Sequence, residues 1–330
     1  MKPKHTPESI LGITWGVQSA RLLLSGAELD IFTLLAPAPL SAEEIAEKVN
    51  GNLRAVTVFL DALTALGFLI KKDGRYQTEP SAAPLLSSVE PNSVLPMVLH
   101  GAQLWQTWSR LTDIVRDADP DQKKGRPGRD MEGLKAFIGS MHLIGLRSAP
   151  KVVAGIDPGQ AKALIDVGGG SGIYTLAFLQ AVPNMKATLF DLPPVIEMAR
   201  ERVEQAGMLD RVTLVPGNFY EDELPSGHDL ALVSAIIHQN SLDQNQDLFH
   251  KVFRSLDPEG RIVIRDHVMS ADRTQPVDGA LFAVNMLVNT RGGGTWTFDE
   301  IEARLTEAGF VRVKQLQAEG MFSLVEAFKP

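Results

Sequence analysis

The spacing of apolar positions differs between the first half of the chain and the rest. Residues 10–35 are densely apolar, which predicts a helical segment buried on more than one side. Apolar positions three and four residues apart predict a second helix over 53–68. A strand, a turn at Asp73-Gly74 and a return strand are predicted to follow it. Helix, turn, helix and small hairpin in this order indicate a winged helix.

From residue 160 onward, short apolar strands alternate with helices of 10–15 residues. This alternation predicts an α/β domain with a doubly wound, Rossmann-like parallel sheet. A short loop joins the last two strands, so one of them should run antiparallel. We therefore predict a winged-helix-like domain over 1–115, a linker with connecting helices over 116–159, and the α/β domain over 160–330. The charged stretch 116–131 is predicted to be a surface loop.

Composition and charge narrow the range of partners. The chain of 330 residues has 32 basic and 40 acidic side chains, hence a net charge of −8, which disfavours nucleic acid and anionic membranes as partners. A winged helix can bind DNA, but residues 53–68 contain no charged side chain except Arg54 and Asp61, which favours packing or dimerisation. With no cysteine there are no disulfides or thiolate metal ligands. No apolar run suggests a signal peptide or a membrane span, so we expect a cytoplasmic protein.

The strongest chemical signal is a glycine-rich turn between the first strand of the α/β domain and its helix. The sequence Asp166-Val167-Gly168-Gly169-Gly170-Ser171-Gly172 brings bare backbone and a helix N-terminus to one place. Asp191 follows the next strand and can accept hydrogen bonds from both ribose hydroxyls. These features predict a cofactor that contains adenosine, against the simpler interpretation of a tight turn beside an exposed acid.

NAD and S-adenosylmethionine both fit this pattern, and three details favour the second. The turn is GxGxG rather than GxGxxG, and Leu192-Pro193-Pro194 after Asp191 contains no arginine for a 2′-phosphate. After the third strand, Asn218 can hydrogen-bond adenine and a neighbouring aromatic ring can stack on it.

The segments DVGGGSG, FDLP, GNFY and HDLALVSAIIHQN resemble the small-molecule O-methyltransferases that use S-adenosylmethionine, the branch with plant phenolic, acetylserotonin and bacterial natural-product enzymes. The resemblance covers nearly the whole chain. It implies an all-helical winged-helix N-terminal domain that forms homodimers, and a small-molecule acceptor. It also implies a set of cofactor-binding residues, namely Asp166, Gly168, Gly170, Asp191, Leu192, Asn218, Phe219 and Ser234. Asn218 and Ser234 depart from the family, which usually has Asp at the first position and, in plant members, often Lys at the second.

The same resemblance places His238 at the general base and Asp266 at the acid that orients it. An unperturbed imidazole can take a proton from a phenol or enol near neutral pH. Two departures stand out. The family usually has His-Asp-Trp at the position of His238-Gln239-Asn240 in this chain. It also often has a second acid where this chain has Thr295.

For the acceptor, the resemblance indicates a pocket wall formed by Trp105, Phe137 and Met141, and Met286 and Asn289 after the Asp266 strand lie on another candidate wall. We predict no metal, because His142 and His267 make no local ligand motif with His238 and Asp266. Two other functions stay open. One is methyl transfer to carbon or nitrogen, or use of the cofactor without methyl transfer. The other is a winged-helix DNA-binding regulator without catalysis.

Overall fold

The chain folds into two units in a computed structural model that describes residues 5–90, 93–116, 131–317 and 322–330. The first unit consists of 5–106 and 131–140, and the second of the other described residues. The predicted surface loop at 116–131 lies, apart from its two end residues, outside the described residues. The predicted domain borders at 115/116 and 159/160 stay predictions.

The N-terminal unit is helical with one small sheet, so the expectation of an all-helical domain has to be extended by three short strands in the order β1-β3-β2. Helix α3 begins with a capping box of Ser41 and Glu44, and Asn52 caps α4. The first elements of the chain are α1 (Pro7–Glu28), α2 (Ile31–Leu34), β1 (Leu40–Ser41), α3 (Ala42–Lys48), α4 (Leu53–Ala65), β2 (Leu69–Lys72), β3 (Arg75–Thr78), α5 (Ala83–Leu86), α6 (Leu95–Trp108), α7 (Leu111–Arg116) and α8 (Met131–Ile156). The hairpin β2–β3 is the predicted one, with its turn at Asp73-Gly74.

The expectation that residues 10–35 are buried on more than one side is wrong for their first half. Only the end of α1 packs into the core of this unit, whereas Ile13 and Trp15 are 78% and 60% exposed. The helix extends beyond the core cluster that its last turns help to build. No described helix is long and apolar enough to cross a membrane.

The second unit is built on a seven-stranded sheet with the strand order β11-β12-β8-β7-β4-β5-β6. Its elements are β4 (Ala163–Val167), α9 (Ile173–Ala181), β5 (Lys186–Asp191), α10 (Pro193–Gln205), β6 (Val212–Pro216), β7 (His228–Ser234), α11 (Leu242–Ser255), β8 (Leu256–Asp266), β9 (Val268–Met269), α12 (Val277–Asn289), β10 (Trp296–Thr297), α13 (Phe298–Glu307), β11 (Val311–Gln317) and β12 (Ser323–Phe328). Strand β12 runs antiparallel to both of its neighbours, as the short final connection predicts.

Helices cover both faces of this sheet, which confirms the doubly wound prediction. On one face, alternate strand residues pack with α11 and α13; on the other they pack with α9, α10 and the end of α8. Strands β4, β5, β7 and β8 are parallel, so their carboxyl ends meet at one edge. Ligands bind at this edge in open α/β sheets, and the predicted site residues follow these strands.

Candidate active site

The glycine turn between β4 and α9 leaves its backbone open. Gly168 and Gly170 have φ of +69° and +58°, a region that residues with a Cβ rarely adopt. A Cβ on Gly168 would lie 2.5 Å from Ile236 Cδ1, whereas one on Gly170 would meet nothing within 4 Å. The turn is therefore in close contact with Ile236 at Gly168. At Gly170 it faces open space, where a ligand can approach the main chain.

Asp191 ties the end of β5 to this turn. One of its carboxylate oxygens accepts the Gly170 N–H at 2.8 Å, and the other accepts the Leu192 N–H at 2.7 Å. Burial raises the pKa of Asp191, while these two backbone hydrogen bonds oppose the rise. Each oxygen keeps a further lone pair, so the carboxylate can accept ribose hydroxyls. The Leu192 side chain beside it is 43% exposed.

Asp166 lies beneath the turn. It is buried, and its carboxyl accepts the Thr175 hydroxyl at 2.6 Å. A Cβ on Gly169 would come within 2.9 Å of the Asp166 Cγ, which shows how closely the turn is packed on this carboxyl. Burial raises the pKa of Asp166 to about 6. This geometry favours a role in supporting the turn, and a direct contact of Asp166 with a cofactor stays a prediction.

An aromatic pair borders the turn on the side of β6. A Cβ on Gly168 would lie 3.8 Å from the Phe219 ring, and the Phe219 and Tyr220 centroids are 4.5 Å apart. Asn218 Oδ1 accepts the Tyr220 N–H at 3.1 Å, and the Asn218 N–H donates to Asp222. Asn218 thus shapes the local turn through its oxygen, and its predicted contact with adenine stays a prediction.

The structure pairs His238 with Asp266. His238 lies in a 3₁₀ turn, Ile237–Gln239, directly after β7, and Asp266 ends the adjacent strand β8. The His238 Nδ1 is 2.8 and 3.0 Å from the two carboxylate oxygens, and the His267 N–H donates to the same carboxylate at 2.8 Å. Burial by itself would raise the pKa of Asp266, but His238 and the His267 N–H outweigh it, and the pKa lies below its usual value. An ionised Asp266 holds a proton on Nδ1, which leaves the Nε2 lone pair of His238 free to accept a proton.

A chain of amide hydrogen bonds supports the turn of His238. The Tyr220 hydroxyl donates to Asn240 Oδ1 at 2.5 Å, Asn240 Nδ2 donates to Asn245 Oδ1, and Asn245 Nδ2 donates to the Ile237 carbonyl. Asn240 is completely buried. It stands where the resemblance places Trp, so the departure from His-Asp-Trp has a structural role. Sequence reasoning missed this chain, because its members lie on three separate segments.

The glycine segment before β10 packs on the backbone of His238. The Gly294 N–H donates to the His238 carbonyl at 2.9 Å. A Cβ on Gly293 would clash with that carbonyl oxygen and lie 2.5 Å from Thr290 Oγ1. Thr295, at the position of the family's second acid, is buried. This segment therefore positions His238 through main-chain contacts.

Phe282 on α12 contacts His238 and His267. Its ring meets the His238 ring edge-on with centroids 4.8 Å apart, and it stacks on the His267 ring at 4.2 Å. His267 is buried, and neither of its ring nitrogens has a hydrogen-bond partner among the described residues. Burial lowers the pKa of His267 to about 4, so the imidazole is neutral near pH 7. Sequence reasoning did not identify Phe282, which has no local signal.

Ser234 and Arg265 face each other at the ends of β7 and β8. Arg265 Nη1 donates to Ser234 Oγ at 3.3 Å, and the guanidinium lies over the rings of Tyr174 and Phe322. Arg265 is only 5% exposed, and burial lowers its pKa. Ser234 is among the site residues predicted from the sequence, and Arg265 beside it is not.

The five residues predicted to line the acceptor pocket are divided between the units. Trp105 and Phe137 belong to the N-terminal unit, where Trp105 lines an apolar cavity of about 760 Å³. In the second unit, Met286 is buried and Asn289 Nδ2 donates to Asn285 at 2.8 Å. Met141 is partly buried on α8. The acceptor role of all five stays a prediction. Within the ranges the structure covers, no three His, Asp or Glu side chains cluster in a way that could hold a metal ion.

Comparison with known proteins identifies both units. Residues 108–311 match the O-methyltransferase domain family, and residues 16–88 match the O-methyltransferase dimerisation domain. The chain is 30% identical to the tetracenomycin polyketide synthesis 8-O-methyl transferase of Streptomyces glaucescens over 98% of this chain and 97% of that protein. It is 31% identical to the 3-hydroxy-5-methyl-1-naphthoate 3-O-methyltransferase of Streptomyces sahachiroi over 97% and 96%. Human N-acetylserotonin methyltransferase, solved in complex with SAM, shares the fold with a TM-score of 0.83 at 23% identity, covering 100% of this chain and 99% of that one.

Proposed function

The chain belongs to the O-methyltransferase family, and on that premise we propose that it transfers a methyl group from S-adenosylmethionine to a hydroxyl of a small aromatic or polyketide-like acceptor. His238 is the general base and Asp266 orients it. The observation that carries this proposal is the pairing of His238 Nδ1 with the ionised Asp266 at the edge of the sheet that also holds the glycine turn.

The residues at this edge fit the cofactor. Gly170 offers main chain next to open space, Asp191 offers carboxylate oxygens for the ribose, and the ring of Phe219 lies beside Gly168. When bound, S-adenosylmethionine supplies an electrophilic methyl carbon on a sulfonium. The task left to the protein is to hold the acceptor hydroxyl in line with that carbon and to remove its proton.

His238 and Asp266 divide the proton transfer between them. The Nε2 of His238 accepts the hydroxyl proton, and Asp266 keeps its negative charge beside the imidazolium that forms. Positioned general bases contribute about 10²–10⁴-fold to rate. Phe282 packs against the His238 ring, which limits its rotation while the proton moves.

Calorimetry with S-adenosylhomocysteine tests cofactor binding. We expect the wild type to bind it and Asp191→Ala to lose most of the affinity, because the carboxylate both bonds ribose and holds the Gly170 N–H. Asp243→Ala is the matched control, since the Asp243 side chain is 94% exposed on α11. A wild type that does not bind, or an Asp191→Ala variant that binds equally well, contradicts the cofactor assignment.

Methyl transfer is tested with a panel of phenols, naphthols, hydroxynaphthoates and hydroxyquinones. Mass spectrometry detects the gain of one methylene unit, and NMR of the product shows whether the methyl group sits on oxygen, carbon or nitrogen. We expect an O-methyl ether, and a loss of about 10²-fold or more in kcat for His238→Ala. His250→Ala on α11 serves as the control. A His238→Ala variant with the wild-type rate refutes the role of the base.

We further propose that the protein is a homodimer formed through its N-terminal unit. The exposed apolar side chains of α1 and the apolar cavity of the same unit fall in or beside the segment that matches the dimerisation domain. Light scattering after gel filtration should show a dimer that Ile13→Asp with Trp15→Asp converts to monomer, while Leu209→Asp in the second unit leaves it intact. A monomeric wild type contradicts this. The cytoplasmic location is likewise a proposal, to be tested by cell fractionation.

A further inference from the structure

Arg265 is a buried cation that has no anionic ion-pair partner among the described residues. Its relative exposure is 5%, and its one side-chain hydrogen bond within the described residues goes to the neutral Ser234 hydroxyl. No carboxylate in the described part of the chain forms an ion pair with it. The adjacent Asp266 acts on it at longer range only, because neighbouring residues of a strand point to opposite faces of the sheet. A guanidinium in such surroundings is strongly unfavourable unless something compensates its charge.

Aromatic rings compensate part of this charge. The guanidinium carbon lies 3.9 Å from the centroid of Phe322 and 5.2 Å from that of Tyr174, distances at which cation–π attraction operates. The two rings also hold the planar group in place. An arginine has five N–H donors in a rigid fork, and Ser234 takes one of them. The remaining donors suit a planar anion such as a carboxylate, which accepts two parallel hydrogen bonds.

The position of Arg265 in the sheet shows where this anion would come from. Ser234 is its register partner on β7, and Val233 of β7 pairs with Val167 of β4, the residue before Gly168. Arg265 on β8 therefore lies two strands away from β4, the strand that leads into the glycine turn. It lies on the face of the sheet that α9 covers, and Tyr174 is at the start of that helix. This is the edge at which the proposed cofactor would lie.

We propose that Arg265 binds the carboxylate of the methionine part of the cofactor. The inference rests on the proposed function and adds to it the residue that recognises the amino acid end of the molecule. A carboxylate on the acceptor has the same chemistry, but the closeness of Ser234 to the glycine turn favours the cofactor. On this assignment, Asp191 holds the nucleoside and Arg265 the opposite end of one molecule.

The test compares two ligands by calorimetry: S-adenosylhomocysteine and its analogue without the amino acid carboxylate. We expect the wild type to bind the first at least about tenfold more tightly, as one charge-assisted hydrogen bond provides. Arg265→Met should lower the affinity for S-adenosylhomocysteine by the same factor and should change the affinity for the analogue by no more than about twofold. Circular dichroism and the unchanged affinity for the analogue verify that the variant is folded.

A second variant relocates the charge. In Arg265→Met with Ser234→Lys, the positive charge comes from position 234 on β7, which is paired with position 265 on β8. We expect this double variant to recover part of the affinity for S-adenosylhomocysteine, whereas its affinity for the analogue should not rise. The proposal is overturned if Arg265→Met binds S-adenosylhomocysteine as the wild type does, or if both ligands weaken equally, which indicates packing alone. It is also overturned if Arg265→Met leaves the binding of S-adenosylhomocysteine unchanged and weakens only the binding of 3-hydroxy-1-naphthoate to the enzyme with S-adenosylhomocysteine bound. A wild type that binds neither ligand contradicts the proposed function itself.

Discussion

Gly293→Ala should impair catalysis without affecting cofactor binding. The added methyl group would clash with the His238 carbonyl oxygen, lie 2.5 Å from Thr290 Oγ1 and lie 3.0 Å from the Gln239 carbonyl carbon. Ordinary Cβ contacts begin at 3.4 Å. Because two of these neighbours are backbone atoms, the turn that holds His238 has to move by about 1 Å, and misplacements of that size can lower a rate by about 10²-fold.

The assay measures kcat for the acceptor identified by the mass-spectrometric panel, together with the Kd of S-adenosylhomocysteine. We expect kcat to fall about 10²-fold and Kd to stay constant, since the three atoms nearest the added methyl group belong to His238, Thr290 and Gln239 and not to the glycine turn. Gly294→Ala is the control: its Cβ would come no closer than 3.5 Å, to Trp296, and its N–H bond to His238 is retained. If Gly293→Ala and Gly294→Ala have the same kcat, the packing argument is refuted.

Three other substitutions probe the surroundings of the base. Asp266→Asn should lower kcat by at least about 10²-fold and leave the Kd of S-adenosylhomocysteine unchanged. The reason is that the amide can donate a hydrogen bond to His238 Nδ1, which leaves the ring proton on Nε2. An unaltered kcat argues against orientation of His238 by Asp266. His267 has a pKa lowered from 6.5 to about 4, so the unfolded chain binds the extra proton first, and stability is lost as the pH falls from 6.5 towards 4. In urea titrations His267→Leu should flatten that acid loss by up to roughly 3 kcal/mol, and an equal slope in both proteins contradicts the burial of a neutral imidazole. Tyr220→Phe leaves the buried Asn240 oxygen without its donor and should cost about 1–3 kcal/mol in urea unfolding, whereas a loss near zero means that the bond is absent in solution.

The α/β unit could be predicted because its signals are local. The central strands are short apolar runs, α11 and α13 begin with capping boxes, and the closing pair of strands is joined by a short loop. The pairing of β9 with β10 could not be predicted, because these two-residue strands lie 28 residues apart at Val268 and Trp296 and carry no pattern of their own. The exposure of α1 was also missed, since an apolar helix has the same sequence pattern whether its own chain or another copy covers it.

The candidate site divides in the same way. Gly170, Asp191, His238 and Asp266 stand at or shortly after the carboxyl ends of strands, and parallel strands bring such positions to one edge. The groups that complete the site arrive from segments distant in sequence. Phe282 lies on α12, which follows β8 in the chain. Its contact with His238 could not be predicted from the spacing of residues along the sequence.

For His238 as the proposed base, these distant contacts explain how a single acid can suffice. Asp266 fixes the Nδ1 proton, Phe282 bounds the ring, and the Gly294 N–H holds the main chain of His238. Under the proposed function, neutral groups thus perform the orienting for which the resemblance implies a second acid, here replaced by Thr295. There is also an electrostatic consequence. In the proposed mechanism Asp266 and the imidazolium form a neutral pair after proton transfer, so the oxyanion formed on the acceptor has no excess negative charge beside it. A second carboxylate would repel that oxyanion.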